Sequence, residues 1–120
     1  MADLSNQSRG EWGEALAARH LRSLGYVVLD RRWRSPDREL RGDLDLVVRL
    51  ADLVVVCEVK ARRDASSFGG AASAVNPTKQ ARVRALAESW LRHHPGVWSG
   101  IRFDVVAIDG VRITHLVGAF

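Results

Sequence analysis

Lysine is nearly missing from this chain: sixteen of its eighteen basic residues are arginine, and only Lys60 and Lys79 remain. Cysteine occurs once, so no intramolecular disulfide can form, and Cys57 reads as a small hydrophobe inside an apolar strand. No apolar run approaches the ~20 residues that a membrane span requires. The opening Met-Ala-Asp-Leu-Ser-Asn-Gln lacks the charged-then-apolar pattern of a signal peptide. Internal repeats and a linker between domains are lacking too. These absences argue against a disulfide-stapled secreted scaffold and a membrane partner, and they lead us to expect a cytoplasmic protein.

What is present points to one packed domain. The chain has 120 residues, which predicts one domain over residues 1–120 with a single core. Its 47% hydrophobic content argues against disorder. The net charge is +4, and arginines gather at Arg31-Arg32-Trp33-Arg34, Arg38, Arg41 and Arg62-Arg63. Such a basic surface with an aromatic among it suits a phosphate backbone, so Arg31 and Arg41 are candidate nucleic-acid contacts. A genomic bias toward arginine codons would explain the excess more plainly. Under that bias the two surviving lysines become the informative cations.

The most unusual stretch is Arg41-Gly42-Asp43-Leu44-Asp45-Leu46-Val47-Val48, followed by Leu53-Val54-Val55-Val56-Cys57-Glu58-Val59-Lys60. It reads as two apolar strands, yet charged residues sit within them, where they are seldom found and seldom buried unpaired. A structural ion pair to Lys60 is the plain explanation. A turn of two residues (Ala51-Asp52) or four would set Asp45 opposite Glu58 and Asp43 opposite Lys60. With a side-chain period of two, all four then project from one face. Two directly opposed carboxylates repel, and a divalent cation between them would relieve that repulsion. Hard oxygen donors suit Mg²⁺ or Mn²⁺.

Around this hairpin the expected order is αβββαββ. Ser8-Arg9-Gly10-Glu11 matches a capping box, so a helix is expected from there to Leu24, ending at Gly25. Gly13, Leu16, Ala17, His20, Leu21 and Leu24 form its buried stripe. Glu14 borders that stripe and either reaches toward the carboxylates or pairs with an arginine. Tyr26–Trp33 is the first strand. Ser35–Glu39 is a turn whose Pro36-Asp37 only mimics a nuclease signature, because proline breaks the strand ladder. Ala61–Val75 reads as a loop of about fifteen residues, a length at which binding segments are over-represented. Asn76-Pro77 starts a second helix that runs to about His94, with Val83, Leu86, Ala87, Trp90 and Leu91 inward. Lys79 and Gln80 then face the site from its first turns. Ile101–Ile108 follows as a strand parallel to the second strand of the central hairpin. Asp104 on it is expected to be an ion-pair partner. Asp109-Gly110 turns the chain into Val111–Leu116.

Asp45, then Glu58-x-Lys60, resembles the D-(x)n-E-x-K core of the PD-(D/E)XK nuclease superfamily. A wider set appears in order: Gly10-x-x-Gly13-Glu14-x-x-Ala17, Gly25-Tyr26, Gly42-Asp43-Leu44-Asp45-Leu46, Glu58-Val59-Lys60-x-Arg62, Phe68-Gly69, Lys79-Gln80 and Arg102-Phe103-Asp104-Val105-Val106. That set resembles the YraN-like uncharacterised bacterial family, which is similar to archaeal Holliday-junction resolvases. Two departures stand out: Leu44 replaces the nominal proline, and Asp43 stands where this family usually has glutamate. The resemblance implies a restriction-endonuclease-like α/β fold, with a mixed central sheet flanked by helices. It implies that Asp45, Glu58 and the Val59 carbonyl hold Mg²⁺ (or Mn²⁺), which would activate a water. Lys60 would orient that water or stabilise phosphate charge, and Glu14 would add a carboxylate. Arg62, Lys79 and Gln80 would touch phosphates. The implied reaction is phosphodiester hydrolysis in DNA, junction DNA among the candidates and RNA not set aside, with a homodimer if junctions are cut. Rival readings are a non-catalytic nucleic-acid-binding module and a small scaffold with exposed Trp33 or Trp98 as anchors.

Overall fold

The computed structural model describes residues 2–62 and 75–120, and for residues 2–9 and 62 the backbone alone. Helix α1 (Ala2–Ser23) is followed by strands β1 (Val27–Trp33), β2 (Leu44–Leu50) and β3 (Leu53–Arg62). Helix α2 (Pro77–His93) precedes β4 (Gly100–Asp109) and β5 (Arg112–Leu116). The five strands form one sheet in the order β1-β2-β3-β4-β5, and the fold is α/β. Only the β3–β4 pair is parallel; the other three pairs are antiparallel. The sheet is therefore mixed, with α2 supplying the crossover between its parallel strands.

The β-branched run of β3 explains its central place. Val54, Val55, Val56 and Cys57 are fully buried, because both faces of the strand are covered. Val55 and Cys57 pack with Ala17, Ala18, Leu21, Leu46, Val48, Val106 and Ile108 beneath α1. Val54 and Val56 pack with Val83, Leu86, Ala87, Trp90 and Phe103 beneath α2. Continuing the alternation puts Glu58 and Lys60 on the α2 face, and Val59 and Ala61 on the α1 face. Gly13 makes the α1 packing possible: a Cβ there would lie 2.6 Å from the Cβ of Ala61.

Helix α2 is fixed at both ends. The Asn76 side chain accepts the Lys79 N–H at 2.9 Å, with Pro77 opening the first turn. At the other end the Trp90 indole donates to Asp30 at 2.7 Å and stacks on His94 with centroids 4.1 Å apart. The buried Ser89 donates to Asp37 at 2.8 Å, so the Pro36-Asp37 turn anchors the helix.

Several expectations change. Helix α1 begins at Ala2, so Ser8 lies inside it and not at its start. Leu24 follows the last helical residue and is exposed, whereas Ala18 is buried. His20 is only half-buried, against the ring of His115. Strand β3 extends through Ala61 and Arg62, and the remainder of the expected loop lies outside the described residues. The last hairpin turns at Gly110-Val111, where Gly110 takes φ +62°. Trp33 and Trp98 are partly buried against the α2 cluster, which removes them as free anchors. Asp104, fully buried, accepts from Arg102, His115 and the Gly118 N–H. Among the described residues no helix is long and apolar enough to cross a membrane.

Candidate functional site

The site begins where two strands part. Hairpin pairing runs from Leu50↔Leu53 to Leu46↔Cys57, around a two-residue Ala51-Asp52 turn whose first residue takes φ +53°. That register places Asp45 opposite Glu58. Strand β3 continues to Arg62 alongside β4, while its recorded pairing with β2 stops at Cys57. At that point the Asp45 carboxylate takes over: its Oδ2 accepts the Val59 N–H at 2.8 Å. The N–H and C=O of a residue in an extended strand leave from the same edge. The Val59 carbonyl is thus directed toward the edge that β2 has vacated.

Asp45 and Glu58 line a pocket of about 130 Å³ together with Gly42, Asp43, Lys79, Arg82 and Val83. Glu58 is only 2% exposed. Its Oε1 lies 3.4 Å from the Lys79 Nζ, and its Oε2 is buried with no hydrogen-bond partner among the described residues. Burial, followed by repulsion from Asp45, pushes the Glu58 carboxyl up to about 7, against the pull of Lys79. Burial also raises Asp45; the Val59 N–H opposes this and Asp43 adds to it. Lys60 moves the other way, lowered by burial and by the neighbouring Lys79 ammonium. Two carboxylates and two amines thus share one partly desolvated corner, and each perturbs the others. Such clusters are frequent at functional sites.

The donor set fits a hard divalent cation. Among the described residues no three His, Cys, Asp or Glu side chains converge as a metal cage. Mg²⁺ does not require one, since it characteristically uses one or two carboxylates and retains several waters. Asp45 and Glu58 supply the carboxylates, the unpartnered Oε2 supplies an unsatisfied lone pair, and the Val59 carbonyl is a third oxygen at the same edge. The pocket volume exceeds the ~30 Å³ share of one water several-fold.

Other expected residues lie farther out. Glu14 accepts the Arg32 Nε–H at 2.7 Å, so it is held in an ion pair on α1. Burial nevertheless raises its carboxyl, with Arg32 opposing, and the charges of Asp45 and Asp43 add to the rise. It therefore stands near the pocket without lining it. The Gln80 amide donates to the Val75 carbonyl at 3.1 Å and is spent on the start of α2. Arg31 is exposed on β1, opposite Leu46, and Arg41 is exposed just before β2. The Arg62 side chain lies outside the described residues.

Sequence reasoning passed over Arg82, and it placed Arg32 in a basic cluster without identifying it as the arginine that pairs with Glu14. Arg82 stands three residues after Lys79, hence on the same helix face, and that spacing was a usable signal. Arg32 carried none: it takes φ +48° after a register shift between Val28 and Asp30, and these irregularities are invisible in the pattern.

A family model described as Uncharacterised protein family UPF0102 matches residues 13–108. The chain belongs to this family. A UPF0102 protein from Frankia alni is 45% identical over 125 residues, covering 100% of both chains. One from Acidothermus cellulolyticus is 40% identical, covering 97% of this chain and 96% of its own. A third, from Ralstonia nicotianae, is 46% identical over 92% of this chain and 85% of its own. The UPF0102 match spans the hairpin, the pocket and both β3 and β4, and it bears out the YraN-like family resemblance read from the motifs.

Proposed function

We propose that this UPF0102 protein is a divalent-cation-dependent endonuclease that hydrolyses phosphodiester bonds in DNA, branched DNA included. The reading is carried by Glu58, a carboxylate buried to 2% exposure beside a second carboxylate, with one oxygen left without a partner. A purely structural acid in that position would be expected to have both oxygens satisfied.

In this reading Asp45, Glu58 and the Val59 carbonyl hold Mg²⁺ or Mn²⁺. Such an ion supplies Lewis acidity and a water acidified toward neutrality. Asp45 also fixes the geometry, because its bond to the Val59 N–H locks the carboxylate to β3. Lys60, on the same face two residues beyond Glu58, orients the attacking water and stabilises charge on the phosphate. Its lowered affinity for its proton lets it pass between charged and neutral forms more readily than an exposed lysine. Lys79 and Arg82 border the pocket as cations for phosphate oxygens. Arg31 and Arg41 extend that contact along the backbone, and Glu14, paired with Arg32, adds negative charge near the site. Cutting a four-way junction symmetrically would require two such sites and therefore a two-fold dimer.

One observation favours a second reading. Lys79 already neutralises one oxygen of Glu58, so the corner could be a static ion-pair cluster in a domain that binds nucleic acid without cutting it. The deciding experiment incubates supercoiled plasmid and a synthetic four-way junction with the wild-type chain, Asp45→Asn and Lys60→Ala, in Mg²⁺ or Mn²⁺. Metal-dependent cutting abolished in both variants supports the nuclease. Salt-sensitive binding without cutting supports the binding module, and equal cutting by all three proteins refutes the assigned site.

A further inference from the structure

The Lys79–Glu58 contact joins a helix to a strand across the pocket, and its geometry is that of a removable plug. Lys79 belongs to the first turn of α2, and its long side chain is 26% exposed, so the ammonium can reach solvent without moving the backbone. Its Nζ lies 3.4 Å from one oxygen of Glu58, while the other oxygen stays bare. The contact is longer than a tight charge-assisted hydrogen bond, which spans about 2.7–2.9 Å. Arg82, one turn along the same helix face, borders the pocket from outside.

Resting on the cation site proposed above, we infer that Lys79 is the cation-site occupant of the resting protein, and that a phosphate backbone draws it away so that polyanion and divalent ion bind with positive coupling. A divalent ion on Glu58 and the Lys79 ammonium compete for the same carboxylate. In the absence of nucleic acid an ion entering at the bare Oε2 repels the ammonium on Oε1 toward water. With a phosphate beside Arg82, the displaced ammonium finds a new anion. Linkage then requires the effect to run both ways: nucleic acid tightens ion binding, and the ion tightens nucleic-acid binding by the same factor. The device would keep the pocket sparsely loaded with metal until substrate arrives.

The test is calorimetric titration of Ca²⁺ and Mn²⁺ into the whole protein at pH 8.5. Wild type, Lys79→Met and Lys79→Gln are compared, with and without a phosphorothioate oligonucleotide duplex that resists hydrolysis. Circular dichroism confirms that each variant is folded, and the two replacements differ in polarity so that one survives if the other does not. The expected result for either variant is ion binding at least about fivefold tighter than wild type without the duplex, and no further tightening when the duplex is added. Wild type should tighten by a similar factor on adding the duplex. Adding Asp45→Asn to Lys79→Met should abolish the gain. Unchanged or weaker binding in the lysine variants overturns the plug and leaves the nuclease reading standing if wild type cuts DNA. Absence of ion binding in wild type and variants alike overturns both.

Discussion

Asp45 stands in for a main-chain acceptor: its Oδ2 takes the Val59 N–H at 2.8 Å just beyond the last recorded β2–β3 pair. The residue thus has a structural role and an electrostatic one, and two substitutions separate them. Asp45→Asn can still accept the Val59 N–H while removing a charge that repels Glu58. We predict that it melts at or above the wild-type temperature without divalent ions, and that Mg²⁺ no longer shifts its melting as it does that of wild type. Asp45→Ala leaves a half-buried N–H unpaired, which costs about 1–3 kcal/mol. Thermal unfolding of the three proteins, with and without Mg²⁺, checks the order.

Glu58 sets the direction of a pH effect. Its carboxyl is raised from the ordinary carboxylate range to about 7, chiefly by burial and next by Asp45. Between those two values the unfolded chain releases a proton that the folded chain keeps. Stability from this group is therefore full at acid pH and is lost as pH rises toward 7, by up to about 3 kcal/mol. Glu58→Gln cannot titrate. Urea denaturation from pH 5 to 8 should show wild type losing ground steadily against Glu58→Gln, and saturating Mg²⁺ should shrink that loss. A flat difference across the range would show that Glu58 ionises like an exposed acid.

Asp104 is the contrasting buried acid. Burial alone would raise it, but Arg102, the Gly118 N–H and His115 together hold it below the usual range. All its bonds are made, to Arg102 at 2.9 and 2.8 Å, His115 at 2.7 Å and Gly118 at 3.0 Å. Removing it leaves the half-buried Arg102 guanidinium, the His115 ring and the Gly118 N–H without their shared acceptor, so Asp104→Ala should cost about 1–3 kcal/mol in urea unfolding. Because Asp104 lies on the α1 face, away from the pocket, the divalent-ion affinity of the folded variant should equal that of wild type. The stability Asp104 supplies is present above the ordinary aspartate range and lost only as pH falls through its lowered value.

The contrast between these acids also shows what the sequence could reveal. A period of two and a two-residue turn were enough to place Asp45 against Glu58, because the length of the turn fixes which residues of the two strands stand opposite each other. Asn76-Pro77 located α2 for the same local reason: caps act on adjacent backbone. The start of α1 was misplaced because a capping-box pattern at Ser8 can also occur inside a helix. Leu24 was misjudged because a helical stripe has no meaning beyond the last turn. The Glu14–Arg32 pair depends on a strand irregularity at Val28/Asp30 and a left-handed Arg32, neither of which leaves a periodic trace. Convergence of Lys79 with Lys60 depends on how α2 lies across β3, a tertiary fact that scarcity of lysine could only hint at.

The central claim is that Glu58 and Lys60 belong to a working hydrolytic centre. Its most direct measurement is the single-turnover rate of plasmid nicking in Mg²⁺ for wild type, Glu58→Gln and Lys60→Ala, purified side by side. The account predicts metal-dependent nicking by wild type and a loss of about 10²–10³-fold or more in each variant, both remaining folded. Nicking by all three proteins at one rate, or none by wild type at any divalent-ion concentration, would contradict it.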